Sequence, residues 1–458
     1  IRRTTNIGDL MSLIIPANTL STGGYAVDNS IRMSGATVNL QKNFSGDGNR
    51  KTWTYSTWFK LSNIKQSGFF NWGKGNPEFS LRFESTTSNA ALNQFRVSQF
   101  DGSQPIDLVT TQYFRDPSAW GHMVVAFDTT QGTASNRIKI YFNGTQITSF
   151  STETYPSVNF DTFVNQSSKI NYLAYADYEP INGYLSETVF IDGQQLAPTD
   201  FGEFDEDSGI WKPIDVSGLT FGDNGFYFEY SDSSDLGVNS KGTDWTPNNL
   251  AAIDQSTDTC TNNFATMNPL AYRLDSGVSL PTYSEGNTVV SYADDSGAGK
   301  STMATIGFQN GKWYWEYKVG TANDTIFGGI TRMDYDPNDN FAGRSCYYNK
   351  TGAFSVGTGT GGTADGSYGN SYTTGDIIGV AFDCDNGVIW FSKNGTWQNS
   401  ATIAEIGAGT TTNSATTGIT LNQFWSPFFE GANGGISANF GSPPYAISSG
   451  NTDGNGYG

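Results

Sequence analysis

The segment at residues 375–397, GDIIGVAFDCDNGVIWFSKNGTW, constrains the fold most strongly, because it predicts three antiparallel strands in succession. Apolar residues alternate along its first two stretches, which is the period of a strand that buries one face. Asn386-Gly387 and Asn394-Gly395 separate the three stretches. An Asn-Gly pair readily adopts the positive φ angles of type I′ hairpin turns. This part of the chain is therefore predicted to be an antiparallel meander.

A second stretch, GKWYWEYKV at residues 311–319, alternates over its whole length. Trp313, Trp315, Tyr317 and Val319 are predicted to point inward, and the lysines, Tyr314 and Glu316 outward. Such a pattern is typical of a half-buried strand with a large aromatic contribution to the core.

Together with IFGGITR at residues 326–332, these motifs occur in the order found in SPRY (B30.2) domains, and the region from about 285 to 441 resembles that family. SPRY domains are recognition sandwiches, so the resemblance implies binding rather than catalysis. It also implies that loops beside the IFGGI strand form the partner-binding rim.

The first half of the chain predicts another series of short strands joined by turns. WTYSTWFK, WGHMVVAFD, IKIYFNGTQI and GYLSETVFIDGQQL follow one another in an order that resembles the laminin-G-like (concanavalin A-like) jelly roll. Residues 85–116 show no clear strand pattern. The resemblance implies that any calcium or sugar site would lie on rim loops.

The composition agrees with an all-β chain. Gly is abundant at 54 residues, and aromatic residues make up 14 % and charged residues only 15 % of the chain. The length of 458 residues is enough for two or three domains. The predicted fold class is all-β, with two tandem antiparallel β-sandwiches joined by an ordered polar strap. The predicted divisions are a docking arm at 1–20, a jelly roll at 21–213, a bridging strap at 214–284, a SPRY-like sandwich at 285–442 and a Gly/Ser/Pro-rich tail at 443–458. Trp245, Leu250, Phe264 and Leu270 are the predicted apolar anchors of the strap.

The net charge of −19 argues against nucleic acid or an anionic membrane as partner, since both attract clustered Lys and Arg. No apolar run reaches the roughly 20 residues that span a bilayer. Three cysteines form no CxxC pair, and one histidine, His122, cannot make a zinc cluster. We therefore expect no cofactor, and we interpret His122 as a structural residue.

One pattern suggests hydrolysis. Concanavalin A-like glucanases carry three carboxylates in a Glu-x-Asp-x-Glu alternation on one strand face, and Glu203, Asp205 and Asp207 have that spacing. The last position is Asp, and the segment follows the last predicted jelly-roll strand. A solvated loop is the favoured interpretation, and a glycosidase remains the alternative.

The predicted recognition surface of the second module is the loop RMDYDPNDNFAGR at residues 332–344. Its Pro, Asp and Asn residues cannot continue a sheet. Aromatic faces can stack on a sugar ring, carboxylates and amides can bind hydroxyls, and an arginine can bind an acidic sugar. The candidate residues are Tyr335, Asp336, Asn338, Asp339, Asn340, Phe341 and Arg344. Calcium chelation by these oxygens and a merely solvated loop are the alternatives.

A second candidate rim in the jelly roll is the AYADYEP loop with Asp177, Tyr178 and Glu179. These side chains have the same chemistry, and solvation without a ligand is again the alternative.

The order of the two modules resembles a two-module protein of tailed phages, described as virion structural or fibre-like. The resemblance implies a non-enzymatic head fibre, decoration or tail-fibre subunit that is assembled in the host cytoplasm and located on the virion. We expect the arm at 1–20, with its apolar Leu13, Ile14 and Ile15, to dock on other virion proteins. Host-surface glycan or receptor and further copies of the chain are the other expected partners. A spacer without glycan binding is a further alternative.

Overall fold

The computed structural model describes residues 24–35, 37–62, 67–73, 77–86, 89–174, 181–274, 279–293, 300–322, 326–334, 345–356, 366–417 and 419–447. Nearly all regular structure in these ranges is antiparallel β, which confirms the predicted fold class. The chain divides into two compact units. The described residues of the first unit fall within 24–264, 283–289 and 441–447, and those of the second within 265–282 and 290–440.

The first unit is built from eighteen strands within the described ranges and one short helix, α1 (Ala134–Arg137). The strands are β1 Ser30–Met33, β2 Asn39–Lys42, β3 Thr52–Leu61, β4 Ser67–Trp72, β5 Glu78–Thr86, β6 Asn89–Phe100, β7 Ile106–Tyr113, β8 Gly121–Asp128, β9 Ile138–Phe142, β10 Thr145–Ile147, β11 Phe150–Thr154, β12 Asn171–Leu173, β13 Gly183–Asp192, β14 Gly202–Phe204, β15 Trp211–Pro213, β16 Phe226–Phe228, β17 Thr246–Asn248 and β18 Gln255–Ser256.

These strands form two large sheets and a separate β14–β15 hairpin. Sheet A has the order β10-β9-β8-β3-β13-β1-β18, with β16 also paired to β13, and sheet B has the order β11-β7-β6-β5-β4-β12-β2-β17. The sheets face each other across an aromatic core. Trp53 of sheet A lies at its centre, stacked on Phe127 at 4.0 Å and edge-on to Phe79 of sheet B at 5.5 Å. A fully buried tryptophan with several ring partners is a large apolar contribution to such a core.

The opposite face of sheet A is covered as well. Val124, Val189, Phe201, Val216 and Tyr227 belong to a second apolar cluster that packs there. Strand β3, which lies between β8 and β13 in this sheet, is buried on both faces, and not only at the alternate positions that its sequence predicts.

The predicted strap contributes strands to the first unit's own sheets. Strand β16 pairs with β13, β17 with β2 and β18 with β1. Trp245 is 3 % exposed and packs edge-on to Phe226 at 4.9 Å, as expected for an anchor. Leu270 is 57 % exposed, so the prediction that it anchors the strap is wrong.

The second unit contains the remaining described strands, two of which, β20 and β21, reach into residues 283–289 of the first. They are β19 Met267–Leu274, β20 Thr282–Ser284, β21 Val289–Tyr292, β22 Lys300–Ala304, β23 Lys312–Ala322, β24 Ile326–Arg332, β25 Ser345–Asn349, β26 Ala353–Val356, β27 Gly366–Ser367, β28 Ile377–Asp383, β29 Val388–Lys393, β30 Thr396–Trp397, β31 Trp425–Gly431 and β32 Gly434–Asn439. A short helix, α2 (Ile403–Ala408), starts at a Thr402 capping box.

Sheet C has the order β19-β22-β31-β24-β25-β26-β27, and sheet D the order β20-β21-β32-β23-β28-β29-β30. They are joined by aromatic pairs such as Tyr317 with Phe429, whose ring centres are 5.0 Å apart. The predicted meander is β28-β29-β30. Its second turn is the expected Asn-Gly hairpin, with φ of 48° at Asn394 and 76° at Gly395.

The first turn of the meander differs from the prediction. Only Gly387, at φ 61°, has a positive angle, while strand β28 ends at Asp383 and β29 begins at Val388. Asp383 accepts hydrogen bonds from the backbone N–H groups of Asp385 and Asn386, which stabilises a longer loop. A two-residue type I′ turn therefore does not form here.

The boundary of the second unit can be tested by excision. We expect a fragment spanning 265–440 to unfold cooperatively, and a fragment starting at Pro281 to melt lower by roughly 5 °C or more. The shorter fragment lacks β19, which pairs with β22 and contains the fully buried Met267. Circular dichroism melting of both fragments is the measurement. Equal melting temperatures would show that β19 adds no stability.

Candidate functional site

The ligand residues predicted from sequence lie outside the described ranges. This applies to Tyr335, Asp336, Asn338, Asp339, Asn340, Phe341 and Arg344 and to Asp177, Tyr178 and Glu179. Their roles therefore stay predictions. At the start of the first loop, Arg332 donates from Nε to Asp334 Oδ1 at 3.0 Å.

Within the described ranges, no group of three or more His, Cys, Asp or Glu side chains is arranged to hold a metal ion. Nor does any helix there have the length and apolarity to cross a membrane.

The three carboxylates with glucanase-like spacing lie in the β14–β15 hairpin. Strand β14 ends at Phe204, so Glu203 is on a strand while Asp205 and Asp207 are in the turn. Asp205 accepts hydrogen bonds from the backbone N–H and the hydroxyl of Ser208, both at 2.9 Å. These bonds, with Lys212 alongside, lower the pKa of Asp205 to about 2. These three carboxylates therefore do not alternate along one strand face, and Asp205 is a turn-stabilising acceptor.

His122, on strand β8, is buried and contacts Trp211 of this hairpin. Its ring stacks on Trp58 at 4.7 Å, its Nδ1 accepts a hydrogen bond from the indole of Trp211 at 3.0 Å, and its Nε2 lies 2.8 Å from Ser56 Oγ. Burial lowers the pKa of His122 to about 3, so the imidazole is neutral. Because an indole can only donate, Nδ1 carries no proton for a carboxylate to orient, unlike the histidine of a Ser-His-Asp triad. This buried and hydrogen-bonded environment agrees with the structural interpretation of His122.

A polar network on the solvent-facing side of sheet B was not foreseen from the sequence. Phe79, Leu81 and Phe83 point into the core, so the intervening positions of β5 share the opposite face. Those positions are Glu78, Ser80, Arg82 and Glu84. Arg82 donates from Nε to Glu84 at 2.7 Å and from Nη1 to Ser98 at 3.1 Å, and Nη1 also donates to Ser80.

Arg96 on β6 extends this network to β7. Its Nε and Nη2 donate to the two carboxylate oxygens of Asp107 at 2.7 and 3.1 Å, and its Nη1 donates to Glu84 at 3.0 Å. Burial alone would lower the pKa of Arg96, but the carboxylates of Asp107 and Glu84 raise it above its usual value. The side chains of Arg96 and Glu84 are 17 % and 25 % exposed, so the network reaches solvent.

This network, which we call the arginine face, comprises Glu78, Arg82, Glu84, Arg96 and Asp107. Two-pronged pairing of a guanidinium with a carboxylate fixes both groups in a plane. The arrangement presents oriented N–H donors and carboxylate acceptors side by side, which is the chemistry that binds hydroxyl groups.

Comparison with known families agrees with both units. A model described as the concanavalin A-like lectin/glucanases superfamily matches residues 33–193, and the SPRY domain model matches residues 312–411. The chain thus carries a concanavalin A-like domain followed by a SPRY domain. No curated protein matches the chain.

Several solved structures are similar to parts of the chain. The SPRY domain of human HERC1 is 15 % identical, with 38 % of this chain and 97 % of that chain covered and a TM-score of 0.29. A heptameric SAP-like pentraxin from Limulus polyphemus is 12 % identical, with coverages of 38 % and 80 % and a TM-score of 0.28. Domain 4 of the Geobacillus stearothermophilus arabinanase AbnA, solved in complex with arabinotriose, is 17 % identical, with coverages of 34 % and 67 % and a TM-score of 0.25.

Proposed function

We propose that this protein is a non-enzymatic structural protein of a phage virion, a head fibre, decoration or tail-fibre subunit, that binds host-surface glycans. The observation that carries the binding role is the arginine face within the concanavalin A-like domain. Neutral sugars offer adjacent hydroxyl groups, and a planar guanidinium–carboxylate pair places a donor and an acceptor at a matching spacing.

The hydrogen bonds made by the carboxylates on this face favour glycan binding over glycan hydrolysis. Retaining glycosidases use one carboxyl as nucleophile and another, protonated, as acid. Asp107 is bonded through both oxygens to Arg96, and Glu84 is bonded to Arg96 and Arg82. Oxygens engaged in this way are held as hydrogen-bond acceptors for hydroxyl groups and are poorly placed to act as a nucleophile.

The virion location rests on the sequence, in which the order of the two modules resembles phage structural proteins. In this proposal the arm at 1–20 docks on other virion proteins, and self-association into a homo-oligomer is compatible with it. In this proposal the protein binds no nucleic acid and does not insert into a membrane. It requires no cofactor, and calcium binding by residues in 335–344 is the alternative to a cofactor-free protein. Immunogold labelling of purified particles tests the location.

Glycan binding by the full chain is the direct test of the binding role. We expect retention on an array of bacterial surface glycans, and we expect Arg96→Lys and Glu84→Gln each to weaken it about tenfold, because lysine lacks the two-pronged geometry of arginine. Arg137→Lys is the matched control, since Arg137 donates to three backbone carbonyls elsewhere in the same unit.

Two outcomes would contradict the proposal. If no glycan is retained at any protein concentration, the protein acts as a spacer. If glycans are retained equally by all three variants, binding does not depend on the arginine face.

A further inference from the structure

The solvent-facing side of sheet D in the second unit carries an exposed aromatic group. Trp315, Tyr317 and Val319 of β23 are buried, so Tyr314 and Glu316 project from the opposite face. Register with β28 places Tyr314 opposite Ala381 and Glu316 opposite Gly379 on that face. Tyr314 is 56 % exposed.

The Tyr314 ring lies across the neighbouring strand because Gly379 leaves room for it. A Cβ at Gly379 would be 2.7 Å from Tyr314 Oη and 2.4 Å from Ser392 Oγ, which no side chain could occupy without displacing them. The Tyr314 hydroxyl donates to Glu316 Oε1 at 2.6 Å. The ring is thereby fixed against the sheet, with a large part of its surface turned to solvent.

Trp397 forms a wall beside this ring. It follows the Asn394-Gly395 turn, and its ring centre is 6.1 Å from that of Tyr314 at an interplanar angle of 62°. Trp397 packs against a small apolar cluster that includes Trp390 and Ala401, which holds it in place. The two aromatic rings are therefore held at an angle to each other before any ligand binds, and we call the surface formed by Tyr314 and Trp397 the corner.

Polar groups border the corner on the side of β32. Glu316 Oε2 accepts a hydrogen bond from Asn439 Nδ2 at 3.3 Å, so the carboxylate is held between Tyr314 and Asn439. An exposed aromatic face beside an oriented carboxylate complements a pyranose, whose C–H face stacks while its hydroxyls are hydrogen-bonded. The Glu316 carboxylate disfavours an acidic group directly beside it, so an uncharged ring is the expected ligand.

We propose that Tyr314, Trp397, Glu316 and Asn439 form a second glycan site, which binds a neutral hexopyranose unit. This inference rests on the proposed glycan-binding function and adds a contact in the SPRY domain that is separate from the arginine face. The sugar stacks on Tyr314 and contacts Trp397, and its hydroxyls bond to Glu316, which the 7 % exposed Asn439 holds in place.

Titration of the full chain with maltotriose, cellotriose and galactotriose, followed by calorimetry and tryptophan fluorescence, tests this site. At least one should bind, Tyr314→Ala should lower its affinity about tenfold, and Tyr314→Phe, which keeps the ring, only a few-fold. Trigalacturonate should bind more weakly than galactotriose. Phe204→Ala is the control, because Phe204 is a similarly exposed aromatic, at 52 %, in the first unit.

The outcomes separate this inference from the function it rests on. Glycan binding that is weakened by Arg96→Lys and unchanged by Tyr314→Ala would overturn the second site and leave the proposed function standing. Failure of all three neutral trisaccharides to bind a chain that is retained on the glycan array would do the same. Absence of any glycan binding would remove both proposals.

Discussion

Replacing Lys60 by alanine is expected to lower the free energy of unfolding of the first unit by about 3–5 kcal/mol. Lys60 is 1 % exposed, and its ammonium donates to Asp258 Oδ2 and Asn263 Oδ1 at 2.8 Å and to the carbonyl of Phe264 at 2.6 Å. Removing it leaves the Asp258 carboxylate, 2 % exposed, as a buried charge without its cation. It also removes three of the hydrogen bonds that hold residues 258–264 against sheet A.

Urea unfolding monitored by tryptophan fluorescence measures this loss, because the Trp120 indole donates to Asp258 Oδ1 at 2.9 Å. Lys51→Ala is the matched control. Its ion pair with Asp161 is long, at 3.9 Å, and exposed, so it should cost less than about 1 kcal/mol. An equal, small effect of both substitutions would mean that water relaxes into the Lys60 site and that the buried pair contributes little.

The second large effect is a pH dependence that arises from Glu187. Burial raises its pKa from the ordinary value of 4.5 to about 7, although hydroxyl groups of Tyr227 and Tyr25 donate to it at 2.6 and 3.2 Å. Glu229 and Asp215 add to the rise. Glu187 lies in a bulge of β13 with φ of 47°, so glutamine is the matched replacement with the same shape and backbone demand.

The folded state binds this proton more tightly than the unfolded chain does. The contribution of Glu187 to stability is therefore greatest below pH 4.5 and is lost as the pH rises through 7, by about 3 kcal/mol in total. Glu187→Gln removes this source of pH dependence. The difference in unfolding free energy between the two proteins should grow in favour of the variant from pH 4.5 to 8. A difference independent of pH would show that folding does not raise the pKa of Glu187.

Sequence patterns predicted correctly those strands and turns that depend only on residues close together in the chain. The strands around Asn394-Gly395 and the alternating strand β23 follow from turn chemistry and from period-two burial, and both are present. Asn143-Gly144 likewise joins β9 to β10, with φ of 46° and 76°. Each of these features is decided by residues within about ten positions of one another.

Features that depend on distant residues could not be predicted in the same way. Strand β6 has charged and amide side chains on its solvent-facing side. One of them, Arg96, is stabilised there by hydrogen bonds to Glu84 on β5 and Asp107 on β7. The segment therefore shows little apolar pattern in the sequence. Burial of the second face of β3 likewise depends on distant residues such as Asp258, which forms an ion pair with the buried Lys60 of that strand.

The two candidate sites share this origin. Gly379 reads as an ordinary small residue of a strand, and only the register with Glu316 reveals that it makes room for Tyr314. Hydrogen-bond networks across strands carry no signal at fixed sequence spacing. The sequence therefore directed attention to loops, while the described polar sites lie on sheet faces.

The first unit is assembled from segments that lie far apart in the sequence, and this determines when it can finish folding during synthesis. Residues 283–289 and 441–447 belong to that unit, and Ser442 bonds to Ser256 at 2.8 Å, while Glu285 pairs with Arg32 at 3.7 Å. The ribosome makes residues 441–447 only after the whole SPRY domain. The amino-terminal domain therefore cannot complete its native contacts while it is being translated, and it reaches its final state after the carboxy-terminal domain has left the exit tunnel.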